Sequence, residues 1–568
     1  MVSIIKRNYL LVFIYLFAAL ITFGKLPFSF FLQDEWLIIG TYLHLDKANI
    51  DWLHKFFIYE QLTHLVPFTH LVSYSQFELF RINFFLYGAV AIAIHFVNAL
   101  LVCHLSFLLL RIRFLSFVSG FLFLISSISH QGFTWIATTI GTAFSALFLL
   151  LCLIFFTRYL NDPETQKRTL LLSALFLTIS LLFKEISIFG FLFLAFFWFI
   201  YKRKDFIKAR MALVTFFPFG IIYLAIRIIN LIIINISNTG METAFAQPGL
   251  EVYLFRIFTL PLRFISQGIL PQEFIINLSN MLVNLAYPVF KNSEELILLT
   301  PHIIESVGAD IVSYFFSVIV ICISIFFIIS YKKKEENLSK IILLSLIFIC
   351  LSSFPFILIP GRAGYNSLID GRHFYVTEIF TSILLTSIGF SFYLLFRKSR
   401  VILIMLIVSF MLFSFYNIMS IRNRLHENVL IGNLRKGILE KISSTYPDIP
   451  QEVIFYIESD KAYYGLPPEE KILPFQSGFG QTLLVWYNEH GEAFPACFFE
   501  DQYLYVQESE GYRECGGRGF GFFRKMESLK SAIQKQNINA VTIIGFSYSS
   551  STNTLSDVTE DIRKELKQ

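Results

Sequence analysis

Charge is scarce in this chain. Asp, Glu, Lys and Arg make up 15% of 568 residues, against 55% hydrophobic ones. Soluble domains carry about 25% charged residues, so the chain is not a soluble globular protein. The net charge of +5 is small and sits in connectors, which sets orientation and excludes a nucleic-acid partner. Cysteine is also sparse, with six residues and no CxxC pair, which argues against a structural zinc ribbon. Cys103, Cys152, Cys322 and Cys350 lie in apolar runs and read as small core side chains. Alternating segments of about ten residues are missing as well, which argues against a transmembrane β-barrel. No internal repeat or low-complexity tract is visible.

What remains is apolar blocks about 20 residues long between short basic patches, the pattern of a polytopic α-helical membrane protein. The run 8–23 follows Lys6 and Arg7. No small-x-small site closes it, so it reads as a signal anchor and not a cleaved peptide. Further runs cover 83–110, 114–129, 136–156, 169–183, 186–201, 211–236, 311–330, 339–359, 374–396 and 401–420. Basic patches fall at every second connector: Arg111/Arg113, then Arg158 with Lys167/Arg168, then 202–210, 332–340 and 397–400. Cationic loops stay in the cytoplasm. The expectation is about eleven spans, with the N-terminus cytoplasmic and the C-terminus outside. The loop 24–82 is then external. Segment 237–310, rich in proline, reads as external or interfacial helices and re-entrant pieces.

From 421 the composition becomes that of a soluble domain. Strand-like runs lie at 452–458, 482–487, 503–507 and 541–546, and helical patterns near 426–443 and 525–537. The chain therefore divides into a membrane domain, 1–420, and a small α/β or α+β extracytoplasmic domain, 421–568. Cys497 and Cys515 both lie in the second. In an oxidising compartment they pair, and two free thiols is the other reading.

One stretch stands out chemically: Phe31-Leu32-Gln33-Asp34-Glu35-Trp36, an adjacent acidic pair just past the first apolar run. Carboxylates beside a membrane, where charges are costly, are functional candidates. Their plain structural reading is an acidic pair capping an interfacial helix. Other candidates on the external side are His64 and Pro67, His95 and Asn98 in a span, His130 in a turn, the pair Lys184–Glu185 and the element Gly371-Arg372-His373-Phe374-Tyr375. His95 reads first as a hydrogen-bonded core histidine. Lys184 reads equally as the ion-pair partner of Glu185. Metal ligation by His64, His70 and His130 requires convergence that their spacing does not specify, so no metal is expected. Arg227, inside an apolar run, needs a partner or a watery cavity; it and Arg81 have no assigned role.

The order of these elements resembles the GT-C superfamily of polyprenyl-phosphate-sugar glycosyltransferases, and most nearly the protein O-mannosyltransferases and the tetratricopeptide-bearing transmembrane mannosyltransferases. Those families place an acidic pair in the first external loop, as Asp34–Glu35 stand here. They follow it with a Pro-centred stretch (His64 to Phe68), a His-x-x-Asn span element (His95 to Asn98), a turn His (His130), a Lys-Glu pair (Lys184–Glu185) and a late Arg-aromatic element. The resemblance covers residues 1–400. It departs at His104 and in the tail, which puts the acceptor in doubt more than the reaction. It implies that Asp34 is the general base of an inverting transfer, with Glu35 orienting it or touching substrate. It also implies that Arg372 and Lys184 hold the donor phosphate, and that His64, His95, His130 and Glu185 line the substrate site. The donor would be a polyprenyl-phosphate sugar, a hexose such as mannose by resemblance, with pentose donors open. The acceptor would be protein, lipid or glycan. No cofactor is implied, because the lipid-linked sugar is a substrate. Compact loops lean towards a bacterial inner membrane. Two other readings stay open. One is a transporter or flippase of lipid-linked sugars, against which no matching Gly/Pro-broken halves are visible. The other is a non-catalytic envelope-assembly scaffold, in which Asp34 is dispensable.

Overall fold

Helix dominates, as the apolar runs predict. The computed structural model describes residues 9–32, 34–51, 65–161, 166–202, 206–237, 249–290, 300–357, 368–397, 399–463, 469–475, 478–500, 503–504 and 510–567. Among these, eight helices are long and apolar enough to cross a bilayer: Tyr9–Phe28, Phe84–Leu110, Ile136–Asn161, Arg210–Ile229, Ser306–Tyr331, Glu336–Ile357, Glu378–Leu395 and Arg400–Thr445. The chain is a polytopic α-helical membrane protein. The remaining segments expected to span are shorter or more polar. Arg113–Leu124 has 12 residues, which at 1.5 Å each reach about 18 Å. Phe189–Lys202 has 14, and Gln166–Phe183 spends its first turn on Gln166, Lys167 and Arg168.

The packing contacts divide the chain into two compact units, and each is described by itself. The first holds Met1–Gly24, Glu60–His70 and Val90–Arg422; the second holds Lys25–Tyr59, Leu71–Ala89 and Asn423–Gln568. The division after Arg422 lies beside the expected one at 420. The second unit, however, also takes in most of the loop 24–82.

In the first unit, hydroxyls glue helices where apolar side chains alone would not choose a register. Ser145, Ser180 and Ser187 form a mutual cluster at 2.8–3.0 Å, and Cys152 meets Ser173 about two turns away. The segment 237–310 forms helices Leu250–Gln267 and Gln272–Phe290, neither of them among the eight. Leu250–Gln267 is polar inwards: Arg256 and Arg263 are buried while Phe255 and Phe258 are exposed. Arg263 makes a two-pronged ion pair with Asp310, Nε to Oδ1 and Nη2 to Oδ2, both 2.8 Å. Gln267 donates to Ser313 Oγ and accepts from the Ile369 amide. This clamp fixes the chain just before Arg372. Removing one partner of such a pair costs about 3–5 kcal/mol, because the other charge stays buried.

In the second unit, strands β1 (Glu452–Ser459), β2 (Gly511–Cys515), β3 (Arg518–Phe523), β4 (Ile543–Ser549) and β5 (Thr554–Asp557) form one sheet in the order β2-β3-β1-β4-β5. β1 is parallel to β3 and β4, and the two edge strands are antiparallel. A central parallel strand is covered on both faces, hence the unbroken apolar run in β1. Ile454 and Tyr456 pack on Leu529, Ile538 and Ile562 on one face. Phe455 stacks on Tyr487 on the other, 5.7 Å between ring centres. The domain is α/β.

The expected strand 482–487 is instead the middle of helix Phe479–Glu489, whose residues from Phe479 to Tyr487 are all buried. A helix buried all round shows no 3.6-residue period, so its apolar run reads like a strand. Residues 503–504 are likewise not strand, and 505–507 lie outside the described residues.

Helix Asp34–Ala48 docks within this unit. Trp36 is fully buried, its ring 5.8 Å from Phe30, which in turn lies 6.4 Å from Trp486. His44 Nδ1 donates to Ala496 O at 3.1 Å, in the turn Ala496–Phe499 that carries Cys497. Cys497 is disulfide-bonded to Cys515, with Cα atoms 6.5 Å apart at a sequence separation of 18. Closing a loop of that length stabilises by about 3 kcal/mol on the chain-entropy model. Replacing both cysteines by serine is expected to lower the thermal midpoint of the purified protein and to remove the effect of added reductant on it. An unchanged midpoint contradicts the bridge.

Candidate functional site

The first unit gathers several of the sequence candidates around one tyrosine. Tyr375, fully buried, follows the Arg-His-Phe run of the late element. Its hydroxyl lies 2.8 Å from His95 Nδ1 and 3.1 Å from Asn98 Nδ2. His95 Nε2 is 2.9 Å from Leu124 O, a carbonyl that only accepts. Nε2 therefore carries the proton, Nδ1 accepts from Tyr375, and Tyr375 accepts from Asn98. The imidazole lies flat against Phe133 at 3.8 Å. The His-x-x-Asn spacing places both groups on one helix face, and that face holds the late element in place. His95 is thus a hydrogen-bonded core residue that positions Tyr375. His130, also buried, donates Nδ1 to Ser127 O at 2.7 Å and ties its own turn. Ser127 in turn gives its amide and hydroxyl to Asn417 Oδ1, at 2.8 and 2.7 Å. Gly371 packs on Ile128 O of the same turn, so closely that a Cβ there would collide with it.

Beside this latch sits a cationic group. Arg372 lies 4.8 Å over the Trp135 ring, with Nη2 3.3 Å from Asp370 Oδ2; its Nε is buried without a partner. Lys184 Nζ donates to Thr142 Oγ1 at 2.5 Å. Thr142 belongs to the π-helical turn Ile140–Phe144, a widening frequent at functional sites. Burial, and after it the charge of Arg372, push Lys184 down to about 8. His373 Nδ1 is buried with no partner. Burial, then Lys184 and Arg372, hold this imidazole well below its usual range, so it is neutral at pH 7. Two cations that raise each other's cost, next to unused donors, suit an oxyanion that neutralises them.

Glu185 does not serve Lys184 in the way the adjacent pair suggested. Its Oε1 accepts from the Leu65 amide at 2.8 Å and faces Arg227 Nη1 at 3.5 Å. This gives Arg227 the partner that a cation in an apolar helix requires. Thr69 Oγ1 donates to Phe183 O in the same corner.

In the second unit, Asp34 opens helix Asp34–Ala48 and is partly exposed. A negative group at a helix N-terminus is favoured by the helix dipole. Glu35 is buried, and its Oε2 accepts from the Leu32 amide at 3.1 Å, which ties the chain ahead of the helix to its first turn. Of the two acids, Glu35 holds the chain entry while Asp34 is partly exposed. His64 lies outside the described residues. Among the described residues, no three His, Cys, Asp or Glu side chains gather as a metal cage would.

Trp135 and Thr142 had no signal in the sequence, because each acts through a residue remote in the chain. His373 and Tyr375 were legible only as members of the late element.

No protein-family model and no curated protein matches the chain. Two solved structures are similar to it at 12% identity: ArnT from Cupriavidus metallidurans in the apo state (TM-score 0.38, 97% of this chain and 94% of that one), and the same protein bound to undecaprenyl phosphate (TM-score 0.41, 96% and 94%). A superposition at that level supports no statement about activity.

Two outcomes follow from the geometry. Tyr375→Phe leaves His95 Nδ1 without its donor and is expected to cost about 1–3 kcal/mol, read as a lower thermal midpoint in lipid nanodiscs; no change contradicts the latch. Lys184 is charged below about pH 8 and neutral above it. Affinity for dodecyl phosphate is therefore expected to differ several-fold between wild type and Lys184→Met at about pH 7, with the difference closing by about pH 9. A difference that does not vary with pH contradicts a titrating Lys184 contact.

Proposed function

We propose that the protein is a membrane glycosyltransferase of GT-C type that moves a sugar from a polyprenyl-phosphate donor to an extracytoplasmic acceptor. The observation that carries this reading is the group Lys184–Arg372, two cations with unused donors beside them, held by a dedicated hydrogen-bond latch at the ends of apolar helices. Such a group suits the phosphate of a membrane-borne substrate. The matched sequence elements of residues 1–400 support the same reading.

In the proposed reaction Asp34 takes the proton of the acceptor hydroxyl. The acceptor oxygen forms its bond to the anomeric carbon as the bond from that carbon to the phosphate oxygen breaks. Single displacement inverts the anomeric configuration. The polyprenyl phosphate leaves with an added negative charge, which Lys184 and Arg372 neutralise. Glu35 fixes the backbone ahead of Asp34. The sugar is a hexose such as mannose, on the sequence resemblance alone. The protein sits in a bacterial inner membrane with its N-terminus cytoplasmic and the C-terminal domain outside.

The test is sugar transfer by the purified protein in lipid, with labelled polyprenyl-phosphate mannose and a pentose counterpart as donors and a cell-envelope extract as acceptor. Transfer by wild type and a loss of about 10²-fold or more in Asp34→Asn, at unchanged thermal midpoint, is expected for a general base. Equal transfer by both removes Asp34 from the mechanism. No transfer from any donor contradicts the enzyme reading.

A further inference from the structure

The second unit holds a cavity of about 650 Å³ that none of the groups discussed above explains. Three stretches build it: residues 27–30 at the end of the first span, 82–85 at the start of the second, and one side of helix Arg400–Thr445 from Val429 to Glu440. Trp486 and His490 close it from the C-terminal domain. Its membrane-side rim is apolar. Phe28 and Phe85 are 62% and 48% exposed, with ring centres 5.8 Å apart. They sit at the ends of two apolar helices long enough to span, Tyr9–Phe28 and Phe84–Leu110, where the expected bilayer boundary falls.

Away from that rim the lining turns polar, and its polarity is of one kind. Asn83 and Asn433 are exposed to the cavity, each offering a donor and an acceptor. Among the described lining residues Lys436 is the only lysine or arginine, and it is offset by Glu440, Nζ to Oε1 3.6 Å. A phosphate pocket needs excess positive charge, and this one has none. Neutral amides, a balanced ion pair and aromatic rings together suit an uncharged, hydroxyl-rich ligand. His490 stacks on Trp486 at 4.1 Å, with Nδ1 donating to Trp486 O, so Nε2 is the ring nitrogen left to accept a hydroxyl.

We infer that this cavity binds a neutral saccharide, presented at the membrane surface, and that the acceptor of the proposed transfer is therefore a glycan or glycolipid. The inference deepens the transferase reading and rests on it for the word acceptor. Within the unit, the cavity wall connects directly to the helix that carries Asp34, because Phe30 packs on Trp486 and on Trp36, two residues after Asp34.

The experiment is saturation-transfer NMR on the full chain in nanodiscs, with maltotriose, mannotriose and chitotriose as probes and inorganic phosphate as the anionic competitor. Wild type is expected to saturate the ring protons of at least one trisaccharide, undiminished by phosphate. Asn433→Trp, a bulky change at an exposed helix position, is expected to reduce the signal at least fivefold, and Asn433→Ala to reduce it less, both at unchanged thermal midpoint. Sugar transfer is read in the separate donor assay, so transfer lost with saccharide binding retained overturns the transferase reading alone, and binding lost with transfer retained overturns this one alone. No saturation of any trisaccharide, equal signal in Asn433→Trp, or competition by phosphate overturns the inference.

Discussion

The hydroxyl of Tyr375, held between His95 and Asn98, is the contact on which the candidate site depends. In a unit built mostly of apolar helices, side-chain packing alone specifies position weakly, because one hydrocarbon contact resembles the next. A buried hydroxyl with one donor to give and one to receive has few arrangements that satisfy it, and an unsatisfied one costs about 1–3 kcal/mol. The imidazole completes the specification, since its other nitrogen is committed to Leu124 O. The segment from Asp370 to Tyr375 is thereby fixed at its C-terminal end, while Gln267 fixes it ahead at the Ile369 amide. Arg372 lies between two anchored points.

The same logic explains how the first unit tolerates its charges. Arg263 is matched to Asp310 and Arg227 to Glu185, which are structural pairs. Lys184 differs: it has a hydroxyl for a partner, a guanidinium for a neighbour and a depressed titration point. Of these charged positions it is the one whose surroundings leave it worse off without a ligand, and perturbed groups of this kind mark functional sites more often than structural ones.

Much of this was readable from residue order. Long apolar runs specify spanning helices because the bilayer admits little else, and the shift at 421 to mixed composition precedes the five-stranded sheet. His95, Asn98, Lys184 and Arg372 were identifiable because each is a polar residue in surroundings that penalise it. What the sequence hid has a common cause, namely that the deciding partner is distant in the chain. The adjacency of Lys184 and Glu185 suggested a pair, but Glu185 faces Arg227 and Leu65, and Lys184 faces Thr142. Helix Phe479–Glu489 lost its periodicity to burial on every side. The membership of Asp34–Ala48 in the second unit depends on His44 meeting Ala496 and on Phe30, which packs on Trp36, meeting Trp486, contacts more than 400 positions apart that no local pattern records.

The most direct measurement is the affinity of the wild-type protein in nanodiscs for a polyprenyl phosphate, compared with Arg372→Gln, Lys184→Met and the double variant. The account predicts losses of about tenfold or more for each single change, as charge-assisted contacts to an anion give. The double variant should lose less than the sum of the two, because both cations face one phosphate. Binding that is unchanged in all three variants would contradict the claim that Lys184 and Arg372 seat the donor.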